Sequence, residues 1–257
     1  CGIVGIFRHE GQVSAELYEG LLMLQHRGQD SAGMVTFDGV RFQERKDNGL
    51  VANIFDKKAI DSLKGSVGIG HVRYPTAGGL SATEAQPFFV NSPLGIYLIH
   101  NGNLTNVDEL LMGLGGRMMK TTSDSEVLLN VFAHELGKQG LSMGPEDIFD
   151  AVRRVHRRCN GGYAAVAIIN GYGMVAFRDP HGIRPVVFGT RQEEGRQEVM
   201  IASESVALDV GGFELHRDLD PGEAIFVARG LNLPWLGTAV GLAIATAGAV
   251  SAAAAGV

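Results

Sequence analysis

Cys1-Gly2-Ile3-Val4-Gly5-Ile6-Phe7 is an apolar run that starts on the first residue and is closed by Arg8-His9-Glu10-Gly11. Its length, its β-branched residues and its charged, glycine-ended stop predict a strand buried on both faces. That reading has a chemical consequence. With Cys1 as a mature terminus, a thiol and an α-amine stand on one residue, carried by a rigid strand. A free α-amine titrates near about pH 8, close enough to neutrality to take the thiol proton and return it to a leaving amine. This would be an N-terminal nucleophile. Taken alone, the run favours a cysteine that follows an excised initiator methionine and packs in a core, so the neighbouring segments have to decide.

Working outward, Ser14 is placed to cap a helix carrying Leu17, Leu21, Leu22 and Leu24. Met34–Phe37 and Val40–Phe42 flank Asp38-Gly39, a two-residue hairpin signal. Val67–Tyr74, Phe88–Val90 and Gly95–Ile99 read as strands. Helices follow at Val107–Leu114, at Ser123–Leu136, where Ser123 and Glu126 match a capping box, and at Pro145–Arg158 with Pro in the first turn. Tyr163–Ile169, Met174–Phe177, Val186–Phe188, Val199–Ala202 and Ala224–Ala228 return to strand. Strands, then helices, then strands point to an α+β fold with antiparallel sheets rather than alternating βαβ units.

The motifs, in order, are Cys1-Gly2-Ile3-Val4-Gly5-Ile6, Gln25-His26-Arg27-Gly28-Gln29-Asp30-Ser31-Ala32-Gly33, and Gly70-His71-Val72-Arg73-Tyr74-Pro75-Thr76-Ala77-Gly78. After them come His100-Asn101-Gly102-Asn103-Leu104-Thr105-Asn106, Thr121-Thr122-Ser123-Asp124-Ser125-Glu126, Phe177-Arg178-Asp179-Pro180-His181-Gly182-Ile183-Arg184-Pro185 and Ala202-Ser203-Glu204-Ser205. Over residues 1–230 this series resembles the class II glutamine amidotransferase domain, and within that class the N-terminal domain of the amidophosphoribosyltransferase family. The resemblance implies a four-layer αββα sandwich of two antiparallel sheets, and a Cys1 that opens the side-chain amide of glutamine through a thioester. It implies that the Asn101 side chain and the Gly102 N–H meet the oxyanion, which must find its donors already in place. It also implies that Arg73, helped by Thr76, grips the α-carboxylate of glutamine, and that Asp124 meets its ammonium group. The loop at Arg27-Gly28 is similar to the family's mobile lid. Away from the series, Asn101-Gly102 reads as a hairpin turn and Asp124 as a first-turn complement to a helix dipole. Arg178-Asp179-Pro180-His181-Gly182 reads as a strand end with a structural turn.

In the full-length family the ammonia goes to phosphoribosyl pyrophosphate, giving 5-phosphoribosylamine for purine synthesis in a homo-oligomer. That step needs a magnesium-dependent phosphoribosyltransferase domain, whose acidic strand end and phosphate loop are absent from these 257 residues. The expectation for this sequence is therefore the glutamine-hydrolysing half, with glutamine as substrate and neither cofactor nor metal. Alternatives are a different acceptor, or a remnant without activity.

Composition excludes other classes. Net charge is −6, and Arg153-Arg154 with Arg157-Arg158 is the one basic block, which gives nucleic-acid binding no footing. Two cysteines, Cys1 and Cys159, make neither a disulfide framework nor a four-thiolate metal site, and His71, His100 and His181 lack metal-ligand spacing. A reducing cytoplasm is the expected setting. Residues 231–257 are uncharged and rich in Ala and Gly, and stand apart from the domain. Leu236–Val257 is long enough to span a bilayer and carries a Gly237/Gly241 pair, but its few strongly apolar residues favour a low-complexity or disrupted end.

Overall fold

The computed structural model describes residues 1–74, 82–229 and 240–245. The first half runs β1 (Gly2–Phe7), α1 (Ser14–Met23), β2 (Ser31–Phe37), β3 (Phe42–Asn48), α2 (Val51–Ile54), α3 (Lys57–Ser62), β4 (Val67–Arg73), β5 (Phe88–Val90) and β6 (Ile96–Leu104). Three helices follow, α4 (Val107–Met112), α5 (Asp124–Gly137) and α6 (Pro145–Arg158). The remainder is β7 (Gly161–Ile169), β8 (Gly173–Arg178), β9 (Val187–Glu193), β10 (Arg196–Ala202), α7 (Ser205–Val210), β11 (Glu214–Asp218), β12 (Ala224–Arg229) and β13 (Val240–Ala245).

Two antiparallel sheets result. One has the order β11-β9-β10-β1-β4-β2-β3, the other β13-β12-β8-β7-β6-β5. Three apolar layers hold them. Ile3, Phe7, Ile69, Ile99, Val166 and Ile201 pack between the sheets. Val4, Ile6, Leu17, Leu21 and Leu208 join the first sheet to α1 and α7. Leu98, Leu128, Phe132, Val152 and Phe177 join the second sheet to α5 and α6. This is the αββα sandwich. Strand β1 shows why its sequence reads as it does. Side chains alternate across a strand, so Ile3 and Phe7 enter the inter-sheet layer while Val4 and Ile6 face the helices. Every residue of β1 is buried. Gly5 sits in a tight spot, where a Cβ would lie 3.0 Å from the side chains of both Met174 and Val166.

Local expectations fail in instructive ways. Ser14 is the first residue of α1 and is buried, and the cap position belongs to Val13, which makes no side-chain cap. The Asp38-Gly39 hairpin is wider than two residues. Phe37 pairs with Phe42, and the Asp38 carboxylate accepts the N–H groups of Val40 and Arg41 at 2.8 and 2.7 Å. Ser123 does cap α5, accepting from Ser125 N, but Glu126 does not complete the box. It accepts instead from the N–H groups of Lys120 and Thr121, stapling the preceding loop. The polar strand β3 and the short helices α2, α3 and α7 had no periodic signal to announce them.

Residues 240–245, inside the uncharged tail, form β13, which pairs with β12 from Ala224↔Ala245 to Arg229↔Val240. Most of the candidate span Leu236–Val257 lies outside the described residues. Among those described, no helix is long and apolar enough to cross a membrane.

Candidate functional site

Cys1 stands just ahead of β1, whose Gly2 pairs with Val72 and Ile3 with His71 on β4. The ends of β1 and β4 therefore meet. The half-buried Cys1 thiol lies 3.4 Å from the N and 3.6 Å from the O of the exposed Tyr74. The Cys1 nitrogen donates to Arg27 O at 2.8 Å, and Arg27 Nε donates to Cys1 O at 2.9 Å. One arginine thus grips both backbone ends of the first residue. Burial, then the guanidinium groups of Arg27 and Arg184, lower the Cys1 α-amine from 8.0 to about 6. All three act in one direction, since burial strips water from the ammonium and each guanidinium disfavours a second positive charge.

Arg27 belongs to a tight 3-10 turn, Gln25–Arg27, which follows α1. The loop resembling a mobile lid is a packed clamp in this structure. Gln25 Nε2 donates to Gly28 O at 2.6 Å, and Gln25 Oε1 accepts from Val51 N at 2.8 Å. A Cβ on Gly28 would sit 2.5 Å from the Arg73 carbonyl carbon, so glycine is what lets the turn lie against the end of β4. Glu204 accepts from Arg27 Nη1 and, at 3.2 Å, from His26 Nε2.

Strand β6 supplies the next pair. His71 Nε2 is 3.0 Å from the His100 carbonyl, which ties β6 to β4 opposite Ile3. Asn101, one residue on, alternates with Ile99 onto the inter-sheet face that Ile3 shares. It is only 3% exposed, yet its Nδ2 has no hydrogen-bond partner among the described residues. A buried donor without a partner costs free energy, and Asn101 Nδ2 shares that state with His71 Nδ1 and His100 Nε2 among the described residues. Gly102 is forced by crowding: a Cβ would come within 2.2 Å of Gly162 O and 2.7 Å of His100 Nε2.

Behind them lies a buried polar network. The His100 ring contacts Ser125 Oγ at 2.8 Å, Gln86 Nε2 donates to the same oxygen at 3.0 Å, and His100 N donates to Gln86 Oε1 at 2.6 Å. Burial holds both His71 and His100 below the usual histidine range, so they serve as neutral hydrogen-bonding groups. Asp124 opens α5 and accepts from Leu104 N at 2.9 Å, with its other oxygen 3.8 Å from His100 Nδ1. Asp124 is thereby fixed beside the Asn101-Gly102 segment.

Arg73 ends β4 and is already engaged. It donates to Asp30 Oδ2 at 2.8 Å and to Glu84 Oε2 at 2.7 Å, and Glu84 also accepts from Thr122 at 2.8 Å. Its carboxylate-binding geometry is therefore filled by protein carboxylates, which the sequence did not reveal. Thr76 lies outside the described residues. Cys1, Arg27, Gly28, Asn101, Gly102, Arg73 and Asp124 are thus gathered at one end of the sandwich.

Sequence reasoning missed Asp30 and Glu84, and gave no part to Glu204 or Arg184. The backbone of Arg184 is held by Asp179, which is fully buried and accepts the N–H groups of Tyr163, Ile183 and Arg184 at 3.1, 3.0 and 3.2 Å. Tyr163 is the register partner of Gly102, so this turn abuts the site. Glu204 and Arg27 are 177 residues apart, and no spacing could have linked them. The other thiol, Cys159, is buried and pushed up to about 12 by desolvation, which leaves it unreactive. Among the described residues, no group of three or more His, Cys, Asp or Glu is placed to hold a metal.

Residues 71–210 match the family described as glutamine amidotransferase domain. The chain is 59% identical over 233 residues to the amidophosphoribosyltransferase of Pseudomonas aeruginosa, covering 89% of this chain and 46% of that protein. It is 54% identical over 235 residues to the amidophosphoribosyltransferase of Escherichia coli, covering 89% and 46%. The solved glutamine phosphoribosylpyrophosphate amidotransferase of B. subtilis superposes with a TM-score of 0.75 at 30% identity, over 94% of this chain and 48% of that one. The chain spans about half the length of the relatives it matches.

Proposed function

The chain belongs to the glutamine amidotransferase domain family, and on that premise we propose that it hydrolyses glutamine with Cys1 as nucleophile and hands on the ammonia. The observation that carries the reading is the arrangement at Cys1. Its amine is held at 2.8 Å by Arg27 O and titrates at about 6, while the buried, unpartnered Asn101 Nδ2 lies on β6 of the facing sheet.

The steps follow from these groups. At neutral pH the amine is mostly the free base and takes the thiol proton. The sulfur then attacks the side-chain carbonyl carbon of glutamine, and the new oxyanion is met by Asn101 Nδ2 and the Gly102 N–H. As the tetrahedral centre collapses, the C–N bond breaks and the α-ammonium gives its proton to the leaving nitrogen, which departs as ammonia. Water, deprotonated by the same amine, cleaves the thioester to glutamate and restores the thiol.

For substrate selection, Asp124 would pair with the ammonium group and Arg73 with the α-carboxylate. Arg73 must then exchange Asp30 or Glu84 for the substrate, which makes carboxylate recognition a competition rather than simple capture. Thr76 and Gly28 complete the proposed set. Transfer to phosphoribosyl pyrophosphate, with magnesium, is assigned to the portion of the relatives that this chain does not span. The setting proposed is cytoplasmic and the full-length protein a homo-oligomer.

The test is glutamate release from glutamine by wild type and by Cys1→Ala, whose fold is checked by circular dichroism. Loss of activity with the fold retained is expected; comparable hydrolysis by Cys1→Ala refutes the mechanism. Adding phosphoribosyl pyrophosphate should neither stimulate this chain nor yield ribosylamine. Mass spectrometry should find the terminus unblocked in active material, and a retained or acetylated leader would refute the amine's role.

A further inference from the structure

Glu204 lies between β10 and α7, at a point locked to β1. Ser203 N donates to Ile3 O at 3.0 Å, and Ile3 N donates to Ser203 Oγ at 3.0 Å. The Glu204 backbone is thus fixed relative to a residue two positions from the nucleophile. From the other side, its carboxylate holds Arg27, whose Nε and carbonyl hold the two ends of Cys1. The result is a closed ring through Cys1, Ile3, Ser203, Glu204 and Arg27, in which the Glu204–Arg27 pair is the one link made between two side chains.

The pair is partly buried, its side chains 20% and 34% exposed, and an ion pair this near the surface contributes only about 1 kcal/mol to stability. Arg27 has a different constraint. Its side chain is only 20% exposed, and its positive charge stands beside an amine that the reaction must protonate and deprotonate. The groups facing that amine are Arg27, Arg184 beyond β8, His71 on β4 and His100 on β6. The first two are cationic and the buried histidines neutral. Farther along β4, Arg73 is balanced by Asp30 and Glu84. Glu204 supplies the negative charge for Arg27 and also meets His26.

We propose that Glu204 is a positioning residue for glutamine hydrolysis: acting through Arg27, it holds the Cys1 amine and thiol in place and offsets the Arg27 charge beside the amine. This rests on the hydrolytic reading above. Without the carboxylate, Arg27 is free to swing from Cys1 O, and its charge weighs fully on the amine. The first effect slows turnover, and the second shifts the pH dependence.

The experiment compares wild type, Glu204→Gln and Glu204→Asp. Glutamate release is measured as kcat and KM across pH, and Cys1 alkylation by iodoacetamide over the same range, with folding checked by circular dichroism. Glu204→Gln should lower kcat about tenfold, as expected for loss of a charge-assisted bond, with KM within about twofold. Its acid limb should move to lower pH, because an uncompensated Arg27 further disfavours the ammonium. Glu204→Asp should restore the limb and part of kcat. Wild-type kcat and limb in Glu204→Gln would overturn the proposal, as would an Asp variant that matches Gln in both. If wild type releases no glutamate, hydrolysis itself is refuted, but alkylation still reads the Glu204 link. Its pH midpoint should fall in Glu204→Gln, and an unchanged midpoint overturns the inference.

Discussion

Glutamate release should rise with pH on a limb centred near 6 rather than near 8.0, because burial and then Arg27 and Arg184 disfavour the protonated Cys1 amine. The size of the effect follows from that displacement. At pH 7 an amine titrating at about 6 is roughly nine-tenths free base, whereas one at 8.0 is roughly one-tenth. The fold therefore raises the competent fraction by nearly a factor of ten at neutral pH. The sign can be tested by Arg27→Met. This change deletes the second-largest cause and the bond from Nε to Cys1 O. It should move the limb to higher pH while lowering kcat. The assay is kcat/KM for glutamine from about pH 5 to about pH 9, since that ratio reports groups of the free enzyme. A wild-type limb near 8, or a downward shift in Arg27→Met, would refute the electrostatic reasoning.

Three further outcomes are expected. Asn101→Ala should cut kcat by about 10²–10³ with KM little changed, and because Nδ2 is unpartnered in the free site its denaturation midpoint should hold; a large stability loss would show a structural role instead. Gly102→Ala places a methyl within 2.2 Å of Gly162 O at a φ of +159°, and should lower stability by about 1–3 kcal/mol or more, measured by urea unfolding. Asp179→Asn leaves backbone donors of Tyr163, Ile183 and Arg184 facing an amide, and should cost about 1–3 kcal/mol while loosening Arg184; a change within experimental error would mean that the buried carboxylate does not organise the turn.

Much of this protein was legible in its linear order. The strand at Cys1–Phe7, the long helices and the antiparallel layering follow from apolar patterning, which is a local property. The motif series picked out Cys1, Asn101, Gly102, Arg73 and Asp124, and these gather at one end of the sandwich. Local signals misled where tertiary contacts offered a better partner. Glu126 took the loop N–H groups of Lys120 and Thr121 rather than closing its own capping box. Strand β3 is almost wholly polar, and exists because it pairs along the whole of β2.

What the sequence by itself put forward is the set of candidate groups: the Cys1 thiol with its amine, an amide-glycine pair at Asn101-Gly102, and Arg73 at a strand end. What only the tertiary structure decided is how those groups are charged and held. The depressed amine at about 6 arises from burial and from guanidinium groups that are remote in sequence and adjacent in space. The carboxylates on Arg73 and the Glu204 link to Arg27 come from segments up to 177 residues away. Electrostatic coupling depends on distance through the folded interior, not on separation along the chain, and no reading of spacing recovers it.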